Sequence, residues 1–227
     1  MVRKAFLLLS SSLAVSAMFG QDIVKLAPDR VTVEFENAQV RVLRFKEPAG
    51  SSLPMHSHPA YVAIGFTDDY SRYTFPDGRT AEERSKAGSV DFSIAVTHAA
   101  ASLGDNPSES LMIELKTPAA GVSVSGPLDS ATVDPKHVKV ELDNDLVRVL
   151  RFNVGPHETI PMHSHPAYVF VSMSGSHLRT AYADGKTEES SAAAGQVRFS
   201  GPVKHTNENL SDKPSEVIVV ELKTAAQ

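Results

Sequence analysis

The stretch Pro-Met-His-Ser-His-Pro-Ala-Tyr-Val occurs at residues 54–62 and again, unchanged, at 161–169. It is the centre of a longer repeat. Shifting the 227-residue sequence by 107 positions aligns 28–117 with 135–224 without a gap, and 41 of the 90 pairs are identical. An ungapped duplication constrains the fold more than any local pattern, because loops as well as regular elements must keep their lengths in both copies. The chain is therefore expected to form two equivalent units of roughly 90 to 100 residues, each long enough to bury a core of its own. Further matched segments are Val-Arg-Val-Leu-Arg-Phe at 40–45 and 147–152, Asp-Gly at 77 and 184, Ala-Gly at 87 and 194, and Glu-Leu-Lys-Thr at 114 and 221.

Within each copy the pattern is that of short strands. Val31, Val33 and Phe35 alternate with polar residues, as do Leu111, Ile113 and Leu115, and that period of two places alternate side chains on opposite faces. Asp77-Gly78 and Asp184-Gly185 stand between strand-like runs as hairpin turns. Strands recurring every eight to twelve residues, roughly, suit a sandwich or barrel. The segment 118–134 is rich in Gly, Ser, Ala and Pro and reads as a linker, with Val122, Val124 and Val133 spaced so that part of it can pair as an edge strand. Residues 1–20 read as a secretory signal peptide: basic Arg3 and Lys4, an apolar run broken by Ser10 to Ser12, then small residues through Ala17. Cleavage there gives domains at 21–117 and 135–227 and implies a periplasmic or secreted protein with no membrane anchor. Loss of the two basic residues takes the formal net charge from −5 to −7. No basic run or stripe is present, so nucleic acid is not an expected partner. The sequence has no cysteine, which excludes disulfides, thiolate metal ligands and a thiol nucleophile.

The chemistry points to histidine. In a strand, His56 and His58 share a face, as do His163 and His165, so each pair can hold one ion between two imidazoles. His98 and His205 are also related by the repeat, so six of the nine histidines form two equivalent triads. His137, His157 and His177 have no histidine counterparts and read as surface residues.

Gly50, five residues, His56-Ser-His58, then Gly88 and His98 resembles the two-part signature of the cupin superfamily, and the duplication resembles a bicupin. The resemblance implies an all-β chain of two tandem jelly-roll barrels after the signal peptide. It implies metal sites at His56, His58 and His98 and at His163, His165 and His205. Three departures stand out. The family's glutamate, which follows the second histidine after three or four intervening residues, is replaced by Val62 and Ala63 in one copy and by Val169 and Phe170 in the other. The asparagine four residues after the last histidine is kept as Asn209 but is Ser102 in the first copy, and Gly201-Pro202 corresponds to Ile94-Ala95. By these marks the second site is the better preserved. Three neutral imidazoles suit a divalent transition metal, Fe, Zn, Ni, Mn, Co or Cu, with open positions for water or ligand.

Tyr61 and Tyr168 are candidates for contact with a bound ligand or for catalysis. Arg41, Arg44 and Arg72, with Arg148, Arg151 and Arg179, either clamp a carboxylate or lie on the solvent face, the commoner place for arginine. Glu114 and Glu221 alternate with apolar neighbours and are expected to point outward. No Gly-x-Ser-x-Gly elbow, phosphate loop or dinucleotide fingerprint is present, which removes serine hydrolases and nucleotide enzymes. The readings left open are a metal-binding bicupin that binds a small oxygen-bearing organic ligand, with or without transforming it; a three-histidine iron dioxygenase; and a non-catalytic small-ligand or sugar sensor. A homo-oligomer is compatible with all three.

Overall fold

The computed structural model describes residues 21–116, 124 and 126–223. The leader expected at 1–20 and the linker residues 118–123 and 125, Val122 among them, lie outside them. Each half begins with a helical turn, α1 (Ile23–Leu26) or α2 (Ser130–Val133), and continues through nine antiparallel strands. In the first half these are β1 (Val31–Glu36), β2 (Val40–Glu47), β3 (Ser52–His58), β4 (Tyr61–Gly65), β5 (Asp69–Thr74), β6 (Thr80–Ser85), β7 (Val90–Ser93), β8 (Val96–Ser102) and β9 (Ser108–Leu115). The second half repeats them 107 residues later as β10 (Val138–Asp143), β11 (Val147–Val154), β12 (Thr159–His165), β13 (Tyr168–Ser172), β14 (Ser176–Tyr182), β15 (Thr187–Ala192), β16 (Val197–Ser200), β17 (Val203–Asn209) and β18 (Ser215–Leu222). Only β14 is longer than its counterpart, by one residue.

Each half is a jelly roll of two sheets, one of five strands in the order β1-β2-β9-β4-β7 and one of four in the order β3-β8-β5-β6, with the same orders in the second half. The β-bulges recur too, between Val33 and Phe35 and between Val140 and Leu142. The glycine spacing has a local cause. Gly50 adopts φ +69°, and His157, its partner in the repeat, is held at φ +57°, a left-handed conformation unusual for a residue with a Cβ.

The expectation that each unit has its own separate core is only half met. Each barrel encloses apolar side chains, Leu43, Phe45 and Leu53 in one and Leu150, Phe152 and Ile160 in the other. The largest buried cluster joins the halves, however: Val40, Val42, Val62, Ile64, Leu111 and Ile113 pack with Val147, Val149, Val169, Val171, Ile218 and Val220. The outer faces of the two five-stranded sheets thus cover each other. The contact is sealed reciprocally, since Arg44 Nη2 donates to the carbonyl oxygen of Gly195 at 2.6 Å and Arg151 Nη2 donates to that of Gly88 at 2.5 Å. In the linker, Val124 is in no strand and Val133 lies in α2, so neither forms the edge strand expected of them. The structural repeat reaches back to Asp22 and Asp129, further than the uninterrupted sequence match.

Candidate metal centres

The antiparallel registers of β3 with β8 and of β12 with β17 bring the histidines together. His56 lies directly opposite His98, and His163 opposite His205. A bulge just before each pair, between Leu53 and His56 and between Ile160 and His163, sets which face the two alternate histidines share. All six are buried, and in each triad one ring nitrogen per residue lies within 4.8 Å of the other two. His163 Nε2 stands 3.1 Å from His205 Nε2; two ligands of one tetrahedral ion are about 3.4 Å apart.

The Nδ1 atoms of four of the six are engaged in a way that fixes their tautomers. His56 Nδ1 donates to the carbonyl oxygen of Pro54 at 2.7 Å, and His163 Nδ1 to that of Pro161 at 2.8 Å. His58 Nδ1 meets Glu114 Oε1 and His165 Nδ1 meets Glu221 Oε1, each at 2.6 Å. With the proton on Nδ1, each Nε2 turns a lone pair inward. His58 Nε2 is buried without any hydrogen-bond partner, which is the state of an atom built to bind a cation. Burial lowers the pKa of His98 and His205 to about 3 and of His163 to about 4, so these rings stay neutral and available as ligands.

Glu114 and Glu221 correct the outward reading: they are 2% and 0% exposed. The alternation was real but its meaning was different. In a sheet covered on both faces, the apolar positions Leu111, Ile113 and Leu115 enter the core between the halves, and the intervening positions enter the barrel. Each glutamate is held from behind by arginine, Arg41 Nε at 2.6 Å from Glu114 and Arg148 Nε at 2.7 Å from Glu221. The arginines in turn reach Asp22 at 3.0 Å and Asp129 at 2.6 Å. Burial alone would raise the pKa of Glu114, but the hydrogen bonds from His58 and Arg41 hold it below its ordinary value. Arg41 and Arg148 are therefore part of the support of the site. Arg44 and Arg151 tie the halves together, and Arg72 and Arg179 are half-exposed surface partners of Glu82 and Glu189.

The valines at the family's glutamate position face away from the histidines. Val62 and Val169 are in the core between the halves, whereas Ala63 and Phe170 line the barrel interiors. Among the described residues no carboxylate joins either triad in place of the missing ligand. Tyr61 and Tyr168 do line the cavities, with ring centres 5.5 Å from His58 and 5.0 Å from His165, and burial raises both phenol pKa values. Tyr73, unremarked in the sequence, packs its ring 5.0 Å from that of His98; its counterpart is Thr180, and Tyr182 takes a related place 6.4 Å from His205. Asn209 is a structural residue, its amide donating to the carbonyls of Val154, Gly155 and Lys213. The first triad converges as fully as the second, so the poorer match of its flanking residues does not reflect a disrupted site. Of the other histidines, His157 and His177 are exposed as expected. His137 is not a surface residue: its side chain is 9% exposed and wedged between Asp134 and Glu158, at 2.6 and 2.9 Å.

The barrels open into cavities at the histidines, about 530 Å³ in the first half and about 210 Å³ in the second. Ala63 against Phe170 accounts for part of the difference.

No protein-family model matches the sequence, and no curated protein is similar to it in sequence. Solved structures do match. AerE from Microcystis aeruginosa superposes with a TM-score of 0.64 at 14% identity, over 85% of this chain and 92% of that one. Oxalate decarboxylase from Bacillus subtilis, described with Mn(II) centres, superposes with a TM-score of 0.60 at 12% identity, over 91% of this chain and 73% of that one. A second structure of that enzyme, carrying a single substitution, gives 0.61 at 13% identity, over 88% and 71%. The chain has the bicupin fold, two cupin barrels in tandem, each carrying a buried group of three histidines.

Proposed function

We propose that each barrel holds one divalent transition-metal ion on its three histidines and offers it to a small organic ligand bearing an oxygen donor. The observation that carries this reading is His58 Nε2, which is buried and unpartnered while Glu114 fixes the ring so that its lone pair faces the other two imidazoles. An ion bound by three neutral ligands keeps its double charge, so it would polarise an oxygen ligand strongly. The chain's own residues supply the rest. Glu114 and Glu221 orient one imidazole each, and the neutral phenols of Tyr61 and Tyr168 can donate a hydrogen bond to a ligand in the cavity. The leader-like N-terminus supports a periplasmic or secreted location.

The test is elemental analysis of protein purified without added metal or chelator. The parent is expected to carry two ions per chain and the His163→Ala/His165→Ala variant one. A double variant that holds as much metal as the parent would overturn the assignment.

A further inference from the structure

The two cavities are built on one scaffold, so residues 107 apart show how each wall has diverged. Where the second cavity has Val154, Ser176, Ser190 and Arg198, the first has Glu47, Asp69, Glu83 and Asp91. Likewise Leu178 and Val217 correspond to Ser71 and Ser110. Strands, histidines and the first tyrosine are the same in both, so this reversal of polarity is not required by the fold.

Glu109 also lines the first cavity, paired with Arg44 at 2.7 Å, and Glu47 pairs with Arg30 at 3.3 Å. Asp69 accepts a hydrogen bond from Ser71, but among the described residues no cation forms an ion pair with Asp69, Glu83 or Asp91. One guanidinium lines the same wall, that of Arg84, and it is stacked 3.3 Å over the ring of Tyr70. Three unpaired carboxylates thus outnumber it. They do not form an inorganic ion site, because among the described residues only the two histidine triads bring three ligand atoms within 4.8 Å of one another. Negative charge spread around a cavity suits an extended organic cation. The cavity, about 530 Å³, has room for such a molecule and sets Phe45, Phe92 and Met112 beside the carboxylates; the unpartnered, buried Nε2 of His58, which opens onto it, is the metal's ligand and marks this end as a place where an occupant is held.

We infer that the first barrel takes a small organic amine, with its ammonium group among Asp69, Glu83 and Asp91 and its apolar part against Phe45, Phe92 and Met112. The second barrel, whose wall carries one cation, Arg198 in place of Asp91, and one carboxylate, Glu188, takes a ligand without positive charge. This deepens the reading of the barrels as ligand sites but does not depend on the metal, so the two can fail separately.

The test is calorimetric titration of the whole chain, metal-free and zinc-loaded, with three probes that share one ring and differ in charge: tyramine, tyrosol and 4-hydroxyphenylacetate. Tyramine is expected to bind one site per chain at least about tenfold more tightly than tyrosol, as expected for a few charges at short range, and to weaken as salt is added, since Glu83 and Asp91 are solvent-exposed. The Glu83→Gln/Asp91→Asn variant should lose about tenfold or more in tyramine affinity, with melting temperature and zinc content unchanged. Asp91→Arg should bring the first barrel's charge preference toward that of the second. Tyramine binding that is absent, no tighter than tyrosol, or unaffected by the double variant would overturn the inference. A chain that takes up no zinc but still selects tyramine would reject the metal reading and keep this one.

Discussion

Replacing Glu221 by glutamine removes one charge and almost no volume at the most buried point of the second site. The carboxylate accepts from His165 Nδ1 at 2.6 Å through one oxygen and from Arg148 Nε at 2.7 Å through the other, and its residue is 0% exposed. An amide has only one oxygen, so in Glu221→Gln one of the two donors must face an NH2 group. Each charge-assisted hydrogen bond of this kind contributes about 1.5 to 3 kcal/mol, and breaking one partner of a buried ion pair costs about 3 to 5 kcal/mol. Arg148 keeps Asp129 at 2.6 Å, which places the expected loss of stability near the lower end, about 3 kcal/mol. The loosened imidazole should cost the second site about 10- to 100-fold in metal affinity. A zinc titration against a chelating dye would resolve the two sites, and urea unfolding of the metal-free chain would give the stability term. The first site should keep its affinity in Glu221→Gln, and Glu114→Gln should show the converse. If Glu221→Gln binds zinc at both sites as tightly as the parent, the glutamate does not orient the ligand and the support described above is wrong.

Three further outcomes follow from the same geometry. Val169→Glu should unfold the chain or lower its urea midpoint sharply, because it buries a charge in the core between the halves, whereas Phe170→Glu, which faces the barrel, should fold and retain zinc by elemental analysis. The metal-free chain should lose stability as pH falls from about 6.5 toward 4: the unfolded histidines take up protons there, while His98, His163 and His205, with pKa values lowered to about 3 to 4, remain neutral in the folded state. Urea midpoints that are flat over that range would contradict it. Gly88→Ala should cost about 1 to 2 kcal/mol by the same assay, since the residue sits at φ +83°.

Much of this was legible in the sequence. The 107-residue offset predicts the strand boundaries of one half from the other, and His98 and His205 could be assigned to their triads from the repeat alone. The role of Glu114 and Glu221 could not, because alternation distinguishes two faces of a strand without saying what covers each. Here one face meets the other half of the chain and the opposite face meets the cavity, so neither is the protein's outer surface. The same ambiguity placed Val169 at a position suited to a metal ligand, although only Phe170, one residue on, faces the imidazoles. His137 was hidden for a different reason: its counterpart is Arg30, and only the fold shows that each sits close to a carboxylate, Glu158 and Glu47 respectively.

The reciprocal arginine contacts across the shared core, Arg44 to Gly195 and Arg151 to Gly88, have the form of an isologous interface, in which each surface meets a copy of itself. In a dimer of identical single barrels, any substitution in one cavity would necessarily appear in the other. Joining the copies in one chain removes that restriction while leaving the contact intact. Asp91 and Arg198 occupy equivalent strand positions with opposite charge, a combination that no symmetric pair of barrels can encode.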